Sequence, residues 1–456
     1  ADIANDVVLP SVNFALNGAA TQYKIKTRTT GHWFGGFQNC AEFCPKYHHL
    51  KINGNKEFEW LNWKSCADNP VIAQGGTWIY DRAGWCPGTF GDTYDHELTP
   101  FVTPGSNVNI DYGMDITAGG MEGNYRTSVQ LVSYGPTNFT LDARIDEIIS
   151  PNDWEFHNRV NPICDDAKIV IQNTGSTTLT SLKITYNVMG GSPEIYTWTG
   201  TLNFMEREEV ILPIPTQAFW VTASSENIFE VSVSEPNGLN DEYADNNNAS
   251  AKFEMPDIFD SSFYIELSTN LAAYENSYTI KNDQGTIVAS RSGMANSTLY
   301  KDTIDLPNGC YVFDFLDTGN DGLSFFANND GNGGLKFKDI PVPLTIHSFP
   351  SNFGSFIKYY FVMDAPTGIE ENKNADAIIY PNPSNGIYNI YLKGFDNDTE
   401  IEVFNTLGKK VLHKYLTNLS GNNTINLENE SDGIYFVRIT SNNKSLMKQL
   451  KTVAKL

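Results

Sequence analysis

The sequence predicts an all-β protein built as a string of sandwich modules, and three observations carry that expectation. Its 456 residues are roughly two to four times a typical single core, so several modules are expected. Short runs of Val, Ile, Thr, Tyr and Phe recur throughout, each broken by Gly, Asn, Asp or Pro, which is how strands and their turns read. No long segment places apolar residues at i, i+3, i+4 and i+7, the period an amphipathic helix requires.

The formal net charge is −23. Nucleic acid and anionic membranes reward clustered Lys and Arg, so neither is expected as a partner. No window of about 18 apolar residues exists, so no transmembrane segment is expected. Residues 1 to 8 lack the charged and apolar regions of a signal peptide, which reads as a chain already processed after export. Cys40, Cys44, Cys66 and Cys86 cluster near the start, with Cys164 and Cys310 beyond. Such clustering suggests disulfides and an oxidising compartment. A Cys66–Cys86 bridge would close a loop of about twenty residues and contribute about 3 kcal/mol. His48 and His49 near Cys44 keep a zinc reading open, although paired Cys-x-x-Cys spacing is missing.

Residues 1–145 are rich in Trp, Gly and Cys, with strand-like runs at Tyr23–Thr30, Ser106–Tyr112 and Ser128–Ser133. Trp60, Trp63, Trp78 and Trp85 lie in polar, turn-rich sequence, where carbohydrate or peptide platforms are built; packing of a sandwich core is the plainer reading. Residues 146–256 alternate cleanly, as at Leu182, Ile184, Tyr186 and Val188 after the turn Asn173-Thr174-Gly175. About seven such strands make an immunoglobulin-like sandwich. The stretch from Asn240 to Asn247 resembles the turn of adhesion-type spacer domains, and a spacer role follows.

Residues 257–363 form a further β module, with strands at Phe263–Glu266, Tyr278–Asn282 and Tyr311–Leu316. Asp317-Thr318-Gly319-Asn320-Asp321-Gly322 then places oxygen ligands at the first, fourth and fifth positions, and Asn329-Asp330-Gly331-Asn332 follows. Hard oxygens around a tight Gly turn suit structural calcium, with Asp317, Asn320, Asp321 and Asp330 as the candidate ligands. Asp and Asn beside Gly also make metal-free turns by bonding their own backbone. The segment resembles the Asp- and Gly-rich accessory module appended to secreted bacterial hydrolases. Residues 364–378, with Pro366 and Gly368, read as a flexible, cleavable linker.

Residues 379–456 read as a small sandwich of their own. The last 75 residues hold nine Lys and Arg against seven Asp and Glu, about +2, leaving about −25 on the remainder, so the tail reads as a separable element. Tyr380-Pro381-Asn382-Pro383-Ser384-Asn385-Gly386 is a rigid turn entering a strand. Then come Val403-Phe404-Asn405, Leu407-Gly408-Lys409-Lys410-Val411, and Asp432-Gly433-Ile434-Tyr435-Phe436-Val437-Arg438. In this order the motifs resemble the type A sorting domain of type 9 secretion in Bacteroidetes. The sorting residues implied are Pro381, Asn382, Pro383, Gly386, Gly408, Gly433, Tyr435 and Arg438. The resemblance implies passage from the periplasm through an outer-membrane translocon, hand-off to a shuttle barrel, and a final place outside the cell or on its surface.

The front of the chain carries a second resemblance. Asn39-Cys40-Ala41-Glu42-Phe43-Cys44, Cys66-Ala67-Asp68-Asn69-Pro70 and Trp78-Ile79-Tyr80-Asp81-Arg82-Ala83-Gly84-Trp85-Cys86-Pro87-Gly88 resemble the C-terminal jelly roll of the peptide-N-glycosidase F family. The resemblance implies bridges Cys40–Cys44 and Cys66–Cys86. It also implies a sugar cleft lined by Glu42 as the catalytic candidate, with Arg82, Asp81, Trp33 and Trp85 as ligand-binding candidates. Hydrolysis of the Asn–glycan bond needs an acid or base together with groups that polarise an amide, so one carboxylate does not suffice. The family's essential Asp lies on a preceding jelly roll whose motif this sequence lacks. Phe43 stands in place of the family's Trp, and Gly31-His32-Trp33 departs from its Gly-Trp-Gly-His segment. Binding of a glycan or glycoprotein is therefore the expectation, with a glycan-releasing amidase as the alternative. Each residue also has a plainer reading: Glu42 as a loop acceptor, Arg82 in a local pair with Asp81, and His32, His48 and His49 as partly buried histidines.

Overall fold

The structure, a computed structural model, describes residues 3–33, 41–72, 79–115, 123–221, 226–340, 343–364, 376–395, 398–416, 423–441 and 444–453. The chain is all-β and divides into two compact units, Ala1–Ala365 and Pro366–Leu456. Among the described residues, no helix is long and apolar enough to cross a membrane.

The first unit contains three sandwiches. The front one holds β1 (Val12–Ala15), β2 (Gln22–His32), β3 (Tyr47–Ile52), β4 (Asn55–Leu61), β5 (Thr93–Glu97), β6 (Asn107–Met114) and β7 (Asn124–Tyr134). They form two antiparallel sheets, in the orders β1-β6-β3-β4 and β5-β2-β7. Period-2 alternation decides which face is inside: Tyr23, Ile25, Thr27 and Thr29 of β2 are buried, and Leu50, Ile52, Val108, Ile110 and Tyr112 of the other sheet face the same core.

The second sandwich packs a four-stranded sheet against a three-stranded one, the arrangement that the alternating pattern predicts. Its first strand, Ala143–Ser150, pairs with Ala167–Asn173, so the module begins at Ala143. Leu182, Ile184, Tyr186 and Val188 all point into its core. The Asn240–Asn247 turn closes the module: Asp241 accepts the Ala143 amide at 3.1 Å and Glu242 accepts that of Thr140 at 2.8 Å.

The third sandwich packs sheets of five and four strands over a phenylalanine-rich core of Phe263, Phe313, Phe315, Phe337 and Phe361. Its strand Gly309–Asp317 ends by delivering Asp317 into the Asp- and Gly-rich loop.

Two devices join these sandwiches. Cys164 and Cys310 form a disulfide between the second and third, both sulfurs lying within the core of the second. Arg159, on the second, donates Nη1 to Ala67 O at 2.8 Å and Asn69 O at 2.7 Å on the first. It donates Nη2 to Phe353 O at 2.8 Å and Phe356 O at 2.7 Å on the third. Only a planar fork of fixed donors can satisfy four carbonyls from two directions. Burial pulls the Arg159 guanidinium down to about 10, still charged at neutral pH.

In the second unit, Asn382 locks the Pro-rich turn to the last strand, donating to Gln449 O at 2.7 Å and accepting from Lys451 N at 2.8 Å. Pro381 and Pro383 each follow a cis peptide bond. Gly408 sits at φ +76° in a turn whose Asn405 side chain accepts two amides, at 3.0 Å each. Gly386, at φ +108°, has no room for a side chain, since an added Cβ would lie 2.8 Å from the Glu428 backbone. Gly433 opens the strand Gly433–Ser441. On it, Tyr435 is buried with its hydroxyl on Ser431 O at 2.6 Å, and Arg438 donates to the buried Glu402 at 2.9 Å. Lys410 also holds Glu402, at 2.8 Å.

Candidate functional site

The end of β2 builds the site at the front of the chain. Gly31 allows the Ala41–Cys44 segment to lie directly on the strand, because a Cβ there would sit 1.9 Å from the Ala41 carbonyl oxygen. Trp33 follows at φ +82°, and its carbonyl accepts the amides of Ala41 and Glu42, both at 3.3 Å. Its own amide donates to Glu42 Oε2 at 3.3 Å.

A second segment supplies the counter-charge. Arg82 forms a two-way backbone bridge with Lys64, at 2.8 and 3.0 Å, beside the Cys66–Cys86 disulfide. Gly84, at φ +74°, packs so closely that a Cβ would lie 2.1 Å from Thr29 O. Arg82 is thereby aimed inward, with Nε donating to Glu42 Oε1 at 3.0 Å and Nη1 to Tyr80 O at 3.1 Å. Its guanidinium carbon lies 5.0 Å from the Phe43 ring centre and 5.1 Å from that of Trp85, a cation held between two π faces. Trp85 is fixed in turn by its indole N–H on Gly31 O at 2.9 Å. Arg82 is 3% exposed and Glu42 half-buried, whereas Trp33 is 59% exposed, so the charge pair forms a floor beside an open indole.

The structure thus brings Glu42, Arg82, Trp33 and Trp85 together. Asp81 faces the disulfide instead, accepting the Cys66 amide at 3.3 Å. Phe43 places its ring beside the guanidinium. Cys44 is disulfide-bonded, which removes the thiolate a zinc site would use. Cys40, its expected partner, and Trp78 lie outside the described residues. Trp60 packs against Tyr94, His96 and Tyr112, a core role.

An aromatic wall continues from this floor into the third sandwich. Phe43 meets Tyr80 edge-on at 6.1 Å, and Tyr80 meets Phe325 edge-on at 5.5 Å. Phe325 is buried with Ile79, and Phe326 beside it is 71% exposed. The sequence signal for this contact was two consecutive phenylalanines in an otherwise Asn-, Asp- and Gly-rich loop.

That loop carries the residues expected to hold calcium. Oxygens of Asp317 and Asp321 come within 4.8 Å of each other and of Glu275, a residue far away in sequence. Asn320 shapes the turn at φ +67°. Asp330 lies outside this group of three but close enough to push the Asp321 carboxyl upward, after burial and Glu275. Burial first, then Asp321, pushes the Asp317 carboxyl up to about 7.

His48 gives the front sandwich a pH response. It is fully buried, with Nδ1 on the Tyr112 hydroxyl at 2.6 Å and, among the described residues, no partner for Nε2. Burial, then His49 and Lys46, lowers its pKa from 6.5 to about 4. A depressed histidine stabilises the fold while neutral, so the unfolded chain binds the proton first and stability falls as pH drops from 6.5 towards 4. The loss should reach about 3 kcal/mol. Denaturant unfolding across that window should show the slope in the wild type and a much flatter one in His48→Gln.

The fold is an assembly of β sandwiches followed by a terminal β module that forms a compact unit of its own. Residues 378–452 match the secretion system C-terminal sorting domain, and residues 2–134 match the C-terminal domain of peptide-N-glycosidase F. The sorting domain marks the chain for type 9 secretion to the cell surface or beyond. Over 98 residues the chain is 38% identical to the peptide-N(4)-(N-acetyl-beta-D-glucosaminyl)asparagine amidase F of Elizabethkingia miricola, covering 20% of this chain and 27% of that one. The chain therefore spans about a quarter of that relative's length. Among solved structures, PNGase F, a glycosylasparaginase from Flavobacterium meningosepticum, aligns at 26% identity and a TM-score of 0.26, over 28% of this chain and 44% of that one. The structure of PNGF-II aligns at 20% identity and a TM-score of 0.23, over 27% of this chain and 24% of that one.

Proposed function

We propose that this is a type 9 secretion cargo whose front jelly roll binds the asparagine-linked N-acetylglucosamine end of a glycan or glycopeptide. One observation carries the reading: both oxygens of Glu42 already receive N–H donors, from Arg82 and Trp33. An ionised carboxylate held this way only accepts hydrogen bonds, which suits it to sugar hydroxyls and amides. The open Trp33 face beside it offers a platform for a pyranose ring. Localisation outside the cell or on its surface follows from the sorting domain, and the translocon and shuttle barrel are the partners on the way.

Calorimetric titration of the full chain with an N-glycopeptide should give saturable binding. Glu42→Gln and Trp33→Ala should each weaken it by about tenfold, the effect of one charge-assisted hydrogen bond or one aromatic contact. Mass spectrometry of the same mixture should show intact glycopeptide. Glycan release with conversion of Asn to Asp, abolished by Glu42→Gln, would make the chain an amidase instead. Absence of heat with the glycopeptide would sink the binding reading.

A further inference from the structure

Three carboxylates meet on the third sandwich without a cation partner among the described residues. Oxygens of Glu275, Asp317 and Asp321 all lie within 4.8 Å of one another. Asp317 is 2% exposed, and among the described residues its buried Oδ1 has no hydrogen-bond partner, nor has the buried Oδ1 of Asp321. The other oxygen of each is held by an amide: Asn276 donates to Asp317 Oδ2 at 2.8 Å and Asn328 to Asp321 Oδ2. Buried, clustered negative charge with unused lone pairs is expensive unless an ion satisfies it.

The backbone is shaped to close this cluster. Glu275 lies against the loop at Gly319, where a Cβ would sit 2.3 Å from Glu275 Oε2. Thr318 donates its amide to Glu275 O at 3.1 Å, tying the two segments together. Gly322, at φ +74°, then turns the chain under the Ser351 carbonyl, which would lie 2.5 Å from a Cβ.

We propose that Glu275, Asp317 and Asp321 bind a divalent cation of the calcium type, and that the bound ion fixes the loop whose Phe325 packs on Tyr80 of the front sandwich. An all-oxygen donor set selects a hard ion over zinc. Oxygens that all lie within 4.8 Å of one another can share one ion, and calcium accepts such irregular carboxylate shells more readily than magnesium, which demands a near-octahedral one. Water and backbone carbonyls would complete the shell. Asp321 and Phe325 belong to one short loop, so ordering the first restrains the second. The inference does not depend on what the front sandwich binds.

The full chain, stripped with chelator, is titrated with calcium chloride alone by calorimetry. Saturable binding with Kd of about 10⁻⁴ M is expected, in the range of extracellular modules. Asp321→Asn and Glu275→Gln should each weaken it at least tenfold; Glu275 lies at the rim of the cluster, so its variant tests the site even where substitution of the buried Asp317 impairs folding. Hydrogen exchange should slow on calcium addition both at residues 323–326 and at residues 79–83, in the wild type but not in Glu275→Gln. No binding at millimolar calcium, or unchanged binding in both variants, overturns the site. Binding without slower exchange at residues 79–83 overturns the link to the front sandwich.

Discussion

Replacing Arg159 by Ala should destabilise the first unit by about 4 kcal/mol, the upper end of single substitutions. Four backbone carbonyls, from Ala67, Asn69, Phe353 and Phe356, lose a charged donor at once. A hydrogen bond to a charged group contributes about 1.5–3 kcal/mol, and the effects do not add fully, because water reaches part of the vacated space. The guanidinium also leaves the ring of Phe356, 3.8 Å from its carbon. Arg159→Lys should recover less than half of the loss, since an ammonium cannot fork towards two modules. Denaturant unfolding followed by tryptophan fluorescence provides the measure. The expected signature beyond the lower midpoint is a split transition, with the front sandwich melting apart from the others. A loss under about 1 kcal/mol would mean that the modules are held by their other contacts.

The second large effect is expected from removing the Cys164–Cys310 bridge. Its cysteines are 146 residues apart, against 20 for Cys66–Cys86. In the chain-entropy account the longer loop contributes about 5 kcal/mol and the shorter about 3 kcal/mol. The double variant Cys164→Ala, Cys310→Ala should therefore lose more stability than Cys66→Ala, Cys86→Ala, and reductant should bring the wild type towards the former. Thermal unfolding with and without reductant makes the comparison. The reverse order would show that native strain or residual unfolded structure outweighs loop length here.

Strands with one buried face were legible in the sequence. Leu182, Ile184, Tyr186 and Val188 alternate because one face is buried, and the structure buries all four. The Cys66–Cys86 pairing and the co-location of Glu42, Arg82, Trp33 and Trp85 came through motif resemblance; hydrophobic period alone says nothing about either. Contacts between distant modules were not legible. Arg159 belongs to no motif that would mark it, Cys164 and Cys310 carry no spacing rule, and Glu275 reaches the Asp317 loop only after strand pairing brings Asn276–Asn282 beside Gly309–Asp317. Arg82 shows the same limit at short range. Beside Asp81 it reads as a local ion pair, but the backbone bridge to Lys64 and the Phe43–Trp85 sandwich send it across to Glu42.

The Cys164–Cys310 bond also changes how this chain would carry tension. A pull applied between the two ends runs along the backbone to residue 164, crosses the sulfurs, and resumes at residue 310. Residues 165–309 lie off that path, and they include most strands of the second sandwich and five of those in the third. Stretching the oxidised chain can therefore extend the front sandwich and the tail, while the shielded loop contributes no length until the bond is reduced. Redox state would set the extensibility of this protein under shear, independently of whatever its front module holds.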